Sequence, residues 1–288
     1  MLKDYFSGFT SAIAGLSKNA GKTTLLSALI AQTEEKIAVT SIGLDGENTD
    51  AVTLTPKPRL YIKRGTILVT AQQAFDKCDI TKRILDVTDI GTPLGRVIVA
   101  EALSDGFVLL AGPSMYSQAV SVRDKLRQWG VSRFYVDGAV SRRAFATAEL
   151  CDSLAFCVGA SYSFNFERII EETRHIVRIL TLPVARDGVK ISGALGNAEA
   201  EKVIRVHAGR AIVLEDPGKI LFGKSIWDKA QACGCAFAVE RRAELCLVAV
   251  NPYSAYGTPC DADKLLTGVR RAVPENIPVC DVKRGVII

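Results

Sequence analysis

The sequence predicts an α/β fold: a mostly parallel sheet flanked by helices, with a smaller C-terminal α/β unit. Three observations carry that prediction. Short apolar runs recur along the chain, and stretches with apolar residues at helical spacing separate them. The first of these runs passes through a glycine-bearing turn directly into a helical stretch. The length of 288 residues suits one large α/β domain or two smaller ones, and a hydrophobic content of 48% is ordinary for a folded chain. Leu182-Pro183 marks the expected boundary, giving units of 1–182 and 183–288.

The first run sets the chemistry. Phe9, Ala12, Ile13 and Ala14 read as a short buried strand, and Leu25, Leu26, Leu29 and Ile30 repeat at helical spacing. Between them lies Gly15-Leu16-Ser17-Lys18-Asn19-Ala20-Gly21-Lys22-Thr23-Thr24. A strand-to-helix turn ending in Gly-Lys-Thr-Thr is the context a phosphate-binding loop requires. Successive backbone N–H groups in such a turn form an anion nest. The helix start adds unpaired donors and the positive end of its dipole. Lys22 is expected to reach the β- and γ-phosphates, and the Thr23 hydroxyl to ligate magnesium. Gly15, Ser17, Lys18, Asn19, Ala20, Gly21, Lys22, Thr23 and Thr24 are the expected nucleotide-binding set. The general pattern has four residues between its glycines; here five separate Gly15 from Gly21.

The next elements supply candidate acids. Lys36–Ile42 reads as a second strand, ending in Gly43-Leu44-Asp45-Gly46-Glu47. A carboxylate at a strand's C-terminal end beside the phosphate loop is well placed for magnesium or an attacking water, so Asp45 is one candidate, with an ordinary Asp-Gly turn as the alternative. Residues 48–66 look irregular and carry Lys57, Arg59, Lys63 and Arg64; such a loop is a switch, a partner surface or a plain hairpin excursion. Strands are expected at Thr66–Thr70 and Ile84–Val87, then a turn-rich loop at Thr88–Gly95, then two doubly buried strands, Arg96–Leu103 and Phe107–Leu110. A helix to Trp129 follows. Phe134-Tyr135-Val136-Asp137-Gly138-Ala139 is an apolar strand ending in a carboxylate and a glycine, the Walker B form; Asp137 is preferred to Asp86 as the magnesium acid.

Leu154–Val158 is a further strand, ending in Gly159-Ala160-Ser161 ahead of a clear helix. That helix shows one stripe of Phe166, Ile169, Ile170, Thr173, Val177 and Leu180, which leaves His175 off the stripe and solvated. Beyond the boundary, helices at Ala198–Val206, Gly223–Cys233 and Ala262–Arg271 alternate with strands at Ala211–Leu214, Ala236–Val239, Leu245–Val250 and Val279–Val282. The strand at Leu245–Val250 runs into Asn251-Pro252-Tyr253-Ser254.

Composition narrows the function classes. The net charge of +5 is mild, and no basic run is interleaved with aromatics, which argues against a nucleic-acid partner. No apolar run approaches a membrane span and no signal-peptide pattern precedes the first strand, so a cytoplasmic location and no membrane partner are expected. The eight cysteines sit mostly singly in apolar runs; Cys233-Gly234-Cys235 is close-spaced but lacks the second pair a zinc site needs. No Asn-Lys-x-Asp guanine signature occurs, which favours ATP over GTP.

The five-residue spacing of the turn resembles the loop of dethiobiotin synthetase and of the cobyrinate and cobyric acid amidases, SIMIBI-class P-loop proteins related to MinD. The second lysine of the MinD branch lies five residues before the invariant one; Ser17 holds that place and Lys18 follows it. Asp137-Gly138-Ala139 resembles the Val-Glu-Gly-Ala element of dethiobiotin synthetase, in which the acid binds magnesium. Together with the late Asn251-Pro252, these motifs resemble the accessory ATPase subunit that accompanies adenosylcobalamin-dependent lysine and ornithine aminomutases. That resemblance implies ATP and Mg2+ as ligands, with Lys22, Asp45 and Asp137 as catalytic residues and Thr23, Asp45 and Asp137 holding the metal. It implies reactivation of an aminomutase client together with a MutS-like ATPase, and it leaves a homodimer open. Asn251 would contact the adenine, as a late Asn-Pro does in some SIMIBI proteins; a separate ligand site and a plain turn are the other readings. A ligase-like enzyme similar to dethiobiotin synthetase, and a metallochaperone-type NTPase, are the alternatives. An amidase needs a glutamine-hydrolysing Cys/His/Glu site; the second unit has His207 as its one histidine and no cysteine in an elbow, which argues against that branch.

Overall fold

The structure, a computed structural model, describes residues 1–42, 59–138, 148–254 and 260–288. The first strand, β1 (Thr10–Gly15), is buried along its whole length and leads through the glycine turn into α1 (Lys22–Gln32). Then come β2 (Ile37–Ile42), β3 (Leu60–Ile62), β4 (Ile67–Ala71), the short α2 (Gln72–Asp76), β5 (Lys82–Thr92), β6 (Gly95–Ala102) and β7 (Gly106–Val108). α3 (Tyr116–Leu126), β8 (Arg133–Gly138), β9 (Ser153–Gly159) and α4 (Phe166–Leu180) complete the first two thirds. The remainder is β10 (Val189–Ile191), α5 (Asn197–Val206), β11 (Ala211–Leu214), α6 (Ser225–Ala232), β12 (Ala236–Val239), β13 (Glu244–Asn251), α7 (Ala262–Arg270), β14 (Val279–Asp281) and β15 (Val286–Ile287).

Ten of these strands form one sheet in the order β15-β14-β13-β9-β1-β8-β2-β4-β6-β5. From β14 to β4 the neighbours run parallel; only β15, β6 and β5 are antiparallel to theirs. Strand alternation splits the core. Ala12 and Ala14 face the α3, α4 and α7 side, while Ile13 faces α1 and the β3–β7 ribbon. Covering both faces is what a parallel sheet demands, and it explains why β1, β4 and β9 are buried at every residue rather than at alternate ones. Because these neighbours all run parallel, the C-terminal ends of β1, β2, β8, β9 and β13 share one edge. No described helix is long and apolar enough to cross a membrane.

The chain beyond residue 183 serves two sheets. A separate three-stranded parallel sheet, β10-β11-β12, carries α5 and α6, while β13 and β14 return to the large sheet beside β9.

Three local expectations are corrected. His175 is not solvated but 4% exposed, because α6 packs across the far face of α4 and the Trp227 Nε1–H donates to His175 Nδ1 at 3.0 Å. α4 therefore buries Ile176 and Ile179 as well as its sequence stripe. Thr88–Gly95 is not a loop: β5 runs to Thr92, Thr88 Oγ1 donates to the Val97 carbonyl at 2.9 Å, and the hairpin closes at Gly95 with φ +94°. Phe107 is not buried on both faces. β7 pairs with β3 instead of entering the large sheet, and the Phe107 ring lies edge-on to Tyr61 at 5.3 Å with both rings partly in solvent.

Candidate functional site

The turn after β1 has the backbone that its residues require. Asn19 has φ +58° and Gly21 has φ +102°, both in the left-handed region. Asparagine tolerates that region and glycine favours it. The Leu16 N–H donates to the Cys157 carbonyl on β9 at 2.8 Å, which fixes where the turn leaves the sheet. Lys22 opens α1 and folds back over the turn: a methyl built on Gly15 would meet Lys22 Cγ at 3.2 Å and Cδ at 3.3 Å. Glycine at 15 is what lets the lysine stem lie there. Ala20 is buried at 1% exposure, while Thr23 and Thr24 are half-buried on the first turn of α1.

Asp137 comes from the neighbouring strand β8, paired in register with Ile13 of β1 and Ser41 of β2. Its Oδ1 is buried and has no hydrogen-bond partner among the described residues. Burial raises its pKa to about 6, and the Lys22 ammonium works in the opposite direction. The same ammonium acts on Cys157, whose thiol burial pushes well above its ordinary value. Lys22 thus sits within the field of both strands that flank β1.

Two strand ends on the other side close on the turn from outside. Gly159 ends β9 so close that a methyl there would lie 2.6 Å from Ala20 Cα. Just beyond, the Ser161 hydroxyl donates to the Lys18 carbonyl at 2.9 Å and lies 3.3 Å from Ser17 Oγ. From the end of β13, Asn251 Nδ2 donates to the Asn19 carbonyl at 3.0 Å, and Asn251 Oδ1 accepts from the Tyr253 N–H at 3.3 Å. Tyr253 is exposed, and the Lys283 ammonium stands 4.1 Å over its ring.

The structure therefore brings together Gly15, Ser17, Lys18, Asn19, Ala20, Gly21, Lys22, Thr23, Thr24, Asp137 and Asn251 at one sheet edge. Asp45 lies outside the described residues. Asp86 is elsewhere: it belongs to the edge strand β5, five strands from β1, roughly 24 Å at about 4.8 Å per strand. There it faces Lys125 at 3.5 Å. Sequence reasoning passed over Gly159 and Ser161 as contacts of the turn. Their only signal was a strand ending in Gly-Ala-Ser, which does not say that the strand lies next to β1. Such an edge, with N–H-rich backbone, two lysines and one buried carboxylate oxygen, suits an anion accompanied by a hard cation. Among the described residues no group of three or more His, Cys, Asp or Glu is placed to hold a metal by itself.

Comparison of the chain with protein-family models, with curated proteins and with solved structures gives no match.

Proposed function

We propose that the chain is a P-loop protein that binds ATP with magnesium at the turn Gly15–Thr24 and hydrolyses it slowly as an accessory subunit. The observation that carries this reading is Lys22 lying over Gly15, in a turn with left-handed Asn19 and Gly21, near the buried Asp137 Oδ1, which has no hydrogen-bond partner among the described residues. The donor set fits magnesium: a buried carboxylate oxygen without a partner and a hydroxyl at the helix start are hard oxygen ligands, and a nucleotide's phosphates supply the rest. Thr23 and Asp137 would hold the ion, which would neutralise charge on the phosphates. Asp45 remains a proposed third contributor.

On this reading the residues divide their work by position. The N–H groups of the turn and of the α1 start bind the phosphates. Lys22 places its charge over the β- and γ-phosphates. Asp137 orients metal and water at the γ-phosphate. Outside this edge, His175 is engaged with Trp227 in the core and offers no acid–base site to a second substrate. The proposal therefore favours a conformational use of ATP over a self-contained synthesis. By the resemblance of its motifs, the client is a cobalamin-dependent aminomutase acting with a MutS-like ATPase. The test is ATP hydrolysis with and without those two proteins. Slow basal turnover that the client accelerates supports the reading. Fast turnover without a client, coupled to a small carboxylate or amine, favours the ligase-like alternative.

A further inference from the structure

We infer that Ser161 and Asn251 are positioning residues that hold the phosphate turn from behind, each by fixing one of two consecutive peptide groups. The inference rests on reading that turn as a phosphate site. The Lys18 carbonyl takes the Ser161 hydroxyl at 2.9 Å, beside a local bond from the Ser17 hydroxyl at 3.0 Å, and the Asn19 carbonyl takes Asn251 Nδ2 at 3.0 Å. A trans peptide points its N–H opposite to its carbonyl, and the described residues contain no cis bond. Pinning the Lys18 and Asn19 carbonyls toward β9 and β13 therefore turns the Asn19 and Ala20 N–H groups away from those strands. Together with φ +58° at Asn19 and φ +102° at Gly21, this sets successive N–H groups to converge, the arrangement of an anion nest.

The chemistry of Asn251 also decides how it acts. Its Nδ2 faces a carbonyl and its Oδ1 faces the Tyr253 N–H. Rotating the amide by half a turn would set two acceptors together at Asn19 and two donors together at Tyr253, so its orientation is determined. Each polar atom already has a backbone partner, so the contacts present tie Asn251 to the turn. Gly21 permits the approach, since a methyl there would lie 3.0 Å from Asn251 Cβ. Ser161 does the same from β9, where Gly159 lets the two backbones meet.

The test measures calorimetric affinity for ATP, for GTP and for inorganic tripolyphosphate, all with magnesium, in the parent, Ser161→Ala, Ser161→Thr and Asn251→Ala. Losing one hydrogen bond of this kind corresponds to about fivefold in affinity, about tenfold for the stronger cases. The expected result is an equal loss of that size for all three ligands in each alanine variant, with the hydroxyl of Ser161→Thr restoring affinity. Unchanged tripolyphosphate binding in Asn251→Ala, with loss confined to one nucleotide, overturns the inference and makes Asn251 a base contact. Unchanged affinity for every ligand in both alanine variants overturns it as well. Failure of the underlying reading is distinct: the parent itself would then bind none of the three. Should Asn251→Ala not fold, Asn251→Ser, too short to reach Asn19, takes its place with the same expected loss.

Discussion

Gly159→Ala tests whether β9 sets the shape of the turn. Gly159 has φ −115° and ψ 145°, an extended conformation open to alanine, so the substitution costs nothing in backbone preference. Its effect is steric. The new methyl would stand 2.6 Å from Ala20 Cα, 3.2 Å from the Asn19 carbonyl oxygen and 3.2 Å from Ser161 Oγ. Carbon atoms prefer about 3.5–4.0 Å, so one backbone must retreat by roughly 1 Å. The strand cannot yield easily, because Gly159 pairs with Asn251 and the Cys157 carbonyl holds the Leu16 N–H at 2.8 Å. The turn should move instead. Overpacking of this kind costs about 1–3 kcal/mol, which at roughly 2–4 °C per kcal/mol in domains of 150–250 residues lowers the melting temperature by several degrees. A displacement near 1 Å in a positioned site costs up to about 100-fold in function. Calorimetry with ATP and magnesium should therefore show at least tenfold weaker binding, alongside a scanning melt. Gly91→Ala, where an added methyl meets nothing within 4 Å, is the control. Parent-like affinity and melting in Gly159→Ala would refute the claim that β9 and the turn are in contact.

Two expectations concern Asp137. Its folded pKa is raised from 3.8 to about 6, so between those values the folded state holds a proton that the unfolded state has released. The contribution of Asp137 to stability without ligand is then fully present below about pH 4 and is lost as pH rises through about 6, by on the order of 1–3 kcal/mol; the urea midpoint of Asp137→Asn should lack that component of the slope. Asp137→Asn should also keep measurable nucleotide binding while losing turnover at saturating magnesium, and parent-like hydrolysis would assign the metal to another carboxylate.

How much of this was legible in the sequence depended on distance along the chain. The turn was legible because strand, glycines, Lys22 and helix are contiguous, and local spacing reports local geometry. Asp137 was legible as a strand-end acid, although nothing in its neighbourhood says that β8 lies next to β1. The clamp from Ser161 and Asn251 was not legible, since it depends on β9 and β13 stacking in order on the other side of β1, with partners more than a hundred residues apart. His175 misled because a helical stripe reports one buried face, while α4 is covered on two. Thr88–Gly95 misled because its two glycines and proline read as a break, while Thr88 and Thr92 hold the same residues in a hairpin.

The central claim is that the turn between β1 and α1 binds a nucleoside triphosphate through Lys22. Calorimetric titration of ATP with magnesium into the parent and into Lys22→Ala, with circular dichroism to confirm that both are folded, tests it most directly. The account predicts saturable one-site binding by the parent and none that is measurable for the variant. Undiminished binding by folded Lys22→Ala, or no binding by the parent, would contradict it.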